Sequence, residues 1–146
     1  MEIFVSCNPP KSTAQASLRI ITPKGKKPFI GKYSSSKAKA VEAMFRDLFD
    51  SPLLKPTVPY SGPIKVSVTW IYPWRSTERK KNKIYGLLSC TTRPDIDNLC
   101  KTLFDILTKI GYWSDDSIIA DLRFRKYWGD EPGIGIKIED LAFDPF

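Results

Sequence analysis

The sequence predicts one small α/β domain of the α+β kind, residues 1–146, with a mixed β-sheet and two main helices packed on it. Three observations carry that expectation. The chain has 146 residues, 42% of them hydrophobic, enough for one apolar core and too short for two full domains. Residues 64–72 and 117–128 alternate with period two, the signature of half-buried strands. Residues 35–49 and 97–110 repeat apolar side chains at helical spacing.

In chain order, residues 1–5 read as a short first strand that Asn8, Pro9 and Pro10 bring to an end. Residues 17–22 and 29–33 read as a hairpin around the basic turn of Lys24, Gly25, Lys26, Lys27 and Pro28. Ser35 and its neighbouring serines suit the start of a helix whose inward residues are Ala38, Val41, Phe45, Leu48 and Phe49. Pro52, Pro56, Pro59 and Pro63 forbid regular structure in the next stretch, which reads as an ordered surface loop. Ile64, Val66, Val68 and Trp70 then form the inward face of a strand rich in β-branched residues. Residues 73–92 show no period and read as a long basic loop. Asp97 or Asn98 is placed to cap a helix carrying Leu99, Leu103, Ile106, Leu107 and Ile110, with Gly111 as its stop. A tight connection leads into the strand over 117–128, and Ile134, Ile136 and Ile138 return as its hairpin partner. The tail from Leu141 reads as peripheral.

Lys and Arg number 23 against 16 Asp and Glu, a net charge of +7, which suits a polyanionic partner but is shared by many merely soluble proteins. Cys7, Cys90 and Cys100 are odd in number and far apart, which argues against a disulfide framework and a Cys-based zinc site and fits a reducing cytoplasm. The absence of histidine excludes Ser-His-Asp and Cys-His catalysis and every His-ligated metal. Catalysis, if present, rests on carboxylates, lysine or hydroxyls. No stretch approaches the roughly 20 apolar residues of a membrane span. The opening MEIFVSCNPP lacks a basic start and long apolar run, so the expectation is a soluble cytoplasmic protein without membrane contact.

The informative segment is Arg93-Pro94-Asp95-Ile96-Asp97-Asn98-Leu99-Cys100-Lys101, followed beyond the helix by Asp115-Asp116. In extended chain, residues two apart face the same way, so Asp95 and Asp97 point at one site. Lys101 lies four residues after Asp97, one helical turn on. Asp116 rejoins them if the strand over 117–128 runs beside Asp95. Converging carboxylates repel unless a divalent cation sits between them, and oxygen-only ligands favour Mg²⁺ or Mn²⁺. Such a metal activates water and stabilises charge on a phosphodiester, with a lysine supporting the transition state. A structural reading of the same residues stays open: Asp97 as a cap, Asp95 paired with Arg93, and Asp115-Asp116 as a turn. Lys24, Lys26, Lys27, Arg75, Arg79, Lys80, Lys81 and Lys83 are candidates for DNA-backbone contacts, with Trp74 and Tyr85 available for stacking; a solvated charge run explains the 73–92 loop equally well. Asp105 and Trp113 are assigned structural roles, Asp105 as an i,i+4 partner of Lys101, and Cys100 a buried, inert one.

The string RPDIDNLCKTLFDILTKIGYWSDDSII resembles the signature of the RusA family of Holliday-junction resolvases, endonucleases often found in phages and prophages. The match covers D-x-D-N-x-x-K, the helix with its internal Asp105, the Gly-aromatic-Trp turn and the closing Asp-Asp. The resemblance implies that Asp95, Asp97 and Asp116 bind Mg²⁺ and direct hydrolysis, and that Lys101 is the essential lysine. It also implies a homodimeric α/β protein whose two active sites cut opposed strands of a four-way DNA junction, in recombination and repair. Two features depart from the family pattern: the 73–92 loop is longer, and the loop after Pro10 lacks an asparagine. The rival expectations are a nuclease acting on flaps or other branched DNA and a catalytically silent DNA-binding protein.

Overall fold

Eleven elements follow one another along the residues that the computed structural model describes, 1–12, 16–34 and 36–141. They are β1 (Glu2–Ser6), β2 (Ala16–Ile21), β3 (Phe29–Ser34), α1 (Ser36–Phe49), β4 (Ile64–Pro73), the single turn α2 (Lys80–Lys83), β5 (Leu87–Ser89), α3 (Ile96–Ile110), a 3-10 turn (Asp116–Ile118), β6 (Ile119–Gly129) and β7 (Gly133–Asp140). Five strands form one mixed sheet in the order β1-β7-β4-β6-β5, while β2 and β3 make a separate antiparallel hairpin. Strand β4 is the axis, parallel to β6 and antiparallel to β7.

Alternation along β4 decides where the core lies. Ile64, Val66, Val68, Trp70 and Tyr72 are buried and point at α1 and α3, joined on that face by Ile134, Ile136 and Ile138 of β7. The helices answer with Val41, Phe45 and Phe49 from α1 and Leu99, Leu103, Ile106 and Leu107 from α3. Each such side chain, fully buried, contributes about 1.5–3 kcal/mol. Trp70 Nε1 also donates to Cys100 Sγ at 3.4 Å, and the Trp70 ring lies 6.0 Å from that of Phe45, so one tryptophan holds both helices to the sheet. Lys65, Ser67 and Thr69 take the other face of β4, where a groove of about 640 Å³ lies open beside Phe4, Arg123 and Arg125.

Hydrogen bonds fix which end of each element lies where. Lys126, near the end of β6, holds the carbonyl of Pro94 just before α3, whereas the Tyr60 N–H, ahead of β4, reaches the Tyr112 carbonyl just after α3. Helix α3 therefore runs antiparallel to β4 and β6. We call the end where β4 and β6 finish the upper end. Tyr72 Oη donates to the Pro10 carbonyl there at 2.7 Å, and at the lower end Tyr112 Oη donates to the Phe49 carbonyl at 2.9 Å.

Several expectations need correction. The 73–92 stretch is not wholly irregular, since it holds α2 and β5, and β5 pairs with the last residues of β6. Strand β7 does not return beside β6 but lies between β1 and β4, because only an interior position covers its three inward isoleucines, each 1% exposed or less. Helix α3 begins at Ile96 with Asp95 in the N-cap position, so neither Asp97 nor Asn98 is the cap. Leu122, within the alternating stretch over 117–128, is 44% exposed, where β5 does not reach that part of β6. Ser35 and the tail over 142–146 lie outside the described residues.

Candidate functional site

Helix α3 starts where it does because Pro94 and its neighbours are pinned from behind. The Lys126 ammonium donates to the carbonyls of Thr92 and Pro94, the latter at 2.8 Å, and the Arg93–Pro94 peptide is cis. Asp95 follows in extended conformation, φ −66° and ψ 141°, and its side chain makes no capping hydrogen bond. Asp97 sits in the first turn of the helix, where the positive end of the helix dipole favours a carboxylate. Asp95 and Asp97 are both exposed. Neither is paired with Arg93, so the structural reading of these two, as a cap and an ion-pair partner, has no support in the geometry.

Lys101 is exposed one turn along α3, on the same stripe as Asp97 and Asp105. Among the described residues no ion pair joins Lys101 to Asp105, so the expected i,i+4 contact is not made. Cys100 is buried beneath, with its thiol pushed up to about 12 by burial, as expected of an inert thiol. Trp113 packs edge-on against Phe104 and donates to Thr108 Oγ1 at 2.7 Å, again a structural role.

Asp116 is placed differently from the expectation within one chain. It opens the 3-10 turn before β6, at the lower end, while Asp95 and Asp97 lie at the upper end. The 15 residues of α3 put about 22 Å between those ends. Parallel pairing of β4 with β6 requires a connection that returns the chain to the lower end, and α3 is that return. Accordingly, no three acidic, histidine or cysteine side chains among the described residues are grouped to hold a metal. Asp115 belongs to the turn: Ser117 Oγ donates to its carboxylate and holds it below the usual carboxylate range.

Part of the basic set shares the upper end with the Asp95–Asp97 pair. Arg75, Arg79, Lys80, Lys81 and Lys83 follow the upper end of β4. Lys24, Lys26 and Lys27 lie on the turn of the β2–β3 hairpin, which is inserted between the Pro10 loop and the start of α1. Arg75 is engaged internally, paired to Glu78 at 2.9 Å with its guanidinium 5.6 Å from the Trp128 ring. The arginine and Asn82 together hold Glu78 below its ordinary pKa, Asn82 contributing most.

The donor set of one chain fits a hard divalent cation. Asp95 and Asp97 offer carboxylate oxygens that no cap or ion pair consumes, and Mg²⁺ is commonly held by one or two carboxylates with water and substrate phosphate completing its shell. Sequence reasoning missed Lys126. Its signal was present, since inward-facing positions of β6 read Phe124, Lys126, Trp128, and a lysine in such a row needs a partner.

A basic α+β domain here carries Asp-x-Asp-Asn at the exposed start of one helix, with a lysine a turn later. The chain belongs to the RusA family: the model of endodeoxyribonuclease RusA matches residues 9–139. Among its relatives, a crossover junction endodeoxyribonuclease of Lactococcus phage r1t is 38% identical over 79 residues, 54% of this chain and 56% of the phage protein. An uncharacterized protein of Bacillus subtilis, YqaN, is 31% identical over 93 residues, 60% of this chain and 65% of its own. Escherichia coli crossover junction endodeoxyribonuclease RusA is 53% identical over 34 residues, 23% of this chain and 28% of that protein. The chain thus spans less than two thirds of the length of these relatives.

Proposed function

We propose that this protein is a Mg²⁺-dependent endodeoxyribonuclease that resolves four-way DNA junctions by phosphodiester hydrolysis, acting as a homodimer. The observation that carries the reading is the pair Asp95 and Asp97, standing unconsumed at the exposed start of α3 in a chain of the RusA family. Mg²⁺, with Mn²⁺ as a substitute, would supply charge neutralisation and an activated water there. Asp95 and Asp97 would hold the cation, the Lys101 ammonium would offset negative charge that builds on the scissile phosphate, and Asp116, a helix length away within one chain, would add a carboxylate only from the second copy of the homodimer. The basic segments at the upper end hold the DNA backbone, so affinity falls steeply with salt. Among the described residues no helix is long and apolar enough to cross a membrane.

Cleavage of a synthetic four-way junction with and without Mg²⁺ tests the reading. Paired cuts in opposed strands, only with the metal, are expected, and Asp95→Asn is expected to abolish cutting while junction binding persists. Preferential cutting of flaps would shift the substrate to other branched DNA. A parent protein that binds junctions but never cuts them with Mg²⁺ or Mn²⁺ overturns the enzyme reading in favour of a silent binder.

A further inference from the structure

Away from α1 and α3, the second face of the sheet carries the groove of about 640 Å³. Strand pairing sets its lining in rows: Arg123 lies level with Ser67, Lys137 and Glu2, and Arg125 with Thr69, Gly135 and Phe4. The charges there are not equivalent. Lys65 lies 3.7 Å from Asp121 and Lys137 3.4 Å from Glu139, whereas Arg123 and Arg125 enter no ion pair among the described residues. Arg125 Nε is buried without a hydrogen-bond partner. Buried donors are normally satisfied, so one on a residue that lines an open groove calls for an acceptor from outside the chain.

Across the groove, Phe4 leans from β1 over β7. A Cβ built on Gly133 would meet its ring at 2.4 Å and one on Gly135 at 3.5 Å, so the ring lies above both glycines. Phe4 is nevertheless 47% exposed, which leaves its outer side open. Covering strand glycines is a packing role in itself, but here the ring also stands opposite two unpaired arginines.

We propose that this groove binds single-stranded DNA, with phosphates on Arg123 and Arg125, the Ser67 and Thr69 hydroxyls beneath them, and a base stacked on Phe4. Neighbouring strands lie about 4.8 Å apart, so a ring over β7 stands about 10 Å from β6, the reach of a nucleotide from phosphate to base. The two arginines follow each other along β6 at about 6.6 Å, a step that neighbouring phosphates of an extended strand match. Glu2 and Glu139 line the β1–β7 side and repel phosphate there, which sets the backbone along β6 and the bases toward β1. A duplex keeps its bases inside and has no ring face to offer Phe4. The groove is on the face opposite α3, so binding in it does not depend on cutting. Under the nuclease reading, on which this consequence alone rests, it gives the enzyme a hold on an unpaired strand away from the bond that it cuts.

Fluorescence anisotropy with a labelled oligothymidylate in EDTA, where no metal-dependent cutting occurs, tests the proposal. The parent should bind the oligonucleotide more tightly than a duplex of equal length. Phe4→Leu, which keeps a side chain over the glycines and removes no charge, should weaken binding about tenfold. Arg123→Ala combined with Arg125→Ala should flatten the slope of log affinity against log salt by about 1.4, at about 0.7 for each phosphate. An iododeoxyuridine-substituted oligonucleotide irradiated on the unaltered protein should crosslink to the peptide that contains Phe4, a readout that does not depend on any variant folding. Absence of oligonucleotide binding, equal or tighter binding of the duplex, crosslinks confined to residues 73–92, or a folded Phe4→Leu that binds like the parent overturns the groove. A protein that meets these expectations yet never cuts branched DNA with Mg²⁺ or Mn²⁺ defeats the nuclease reading and leaves the groove standing.

Discussion

The two ends of α3 are built to opposite rules. At the lower end the polar groups around the turn are tied to the protein: Gly111 in the left-handed conformation, φ 93°, donates to Leu107 and Thr108, Trp113 donates to Thr108, and Tyr112 donates to Phe49. Tyr112 and Trp113 are 0% and 1% exposed. At the upper end Asp95 and Asp97 are exposed, and Asp95 declines the capping bond its position offers. A cap residue of this type is ordinarily worth about 1 kcal/mol. One end is held together by hydrogen bonds within the chain; the other leaves two carboxylates without a capping bond or an ion pair.

That contrast is breakable. The largest expected effect is Asp95→Asn, which should lower junction cleavage about 10²–10³-fold. Its unfolding free energy should stay within about 0.5 kcal/mol of the parent in a denaturant titration, as for an exposed side chain without partners. A variant that loses stability along with activity would place both ends under one rule. Trp113→Ala should do the reverse, costing about 3–5 kcal/mol in the same titration. Lys126→Met sharpens the comparison, since it acts behind the upper end: losing its charged hydrogen bonds should cost about 1.5–3 kcal/mol and should lower kcat for cleavage without changing junction affinity. Equal loss of affinity would show that Lys126 touches DNA rather than positioning Asp95.

The smallest effect is alkaline. Burial pushes both the Cys100 thiol and the Tyr112 hydroxyl up to about 12. Groups that keep their protons longer when folded contribute stability that is complete below the unfolded pKa. The contribution falls as pH rises from about 9, where an unfolded thiol ionises, toward 12. Thermal unfolding between pH 8 and 11 should show a falling Tm, with the cysteine part removed in Cys100→Ala.

Much of this was legible in the chain. Ile64, Val66, Val68 and Trp70 announced β4 because a half-buried strand forces period two, and Gly111 announced the end of α3 because few other residues adopt its backbone angles. The Asp95, Asp97 and Lys101 group was readable because it is local. Strand β5 was not: three residues, Leu87–Ser89, carry no period long enough to detect and are strands only because β6 is beside them. Leu122, 44% exposed, shows the limit of that signal, because alternation marks a side chain as apolar without saying whether anything covers it.

By itself, the sequence determined the local facts: where the longer strands and the two main helices lie, the basic balance, and the spacing of two carboxylates and a lysine at one helix start. Only the tertiary structure decided that β7 lies inside β1 and β4, that Lys126 anchors the turn before Asp95, and that Asp116 ends up a helix length from its expected companions. The physical reason is that periodicity and capping act over a few residues. Strand order and the direction of a crossover depend instead on which apolar faces cover one another, and those faces lie far apart along the chain.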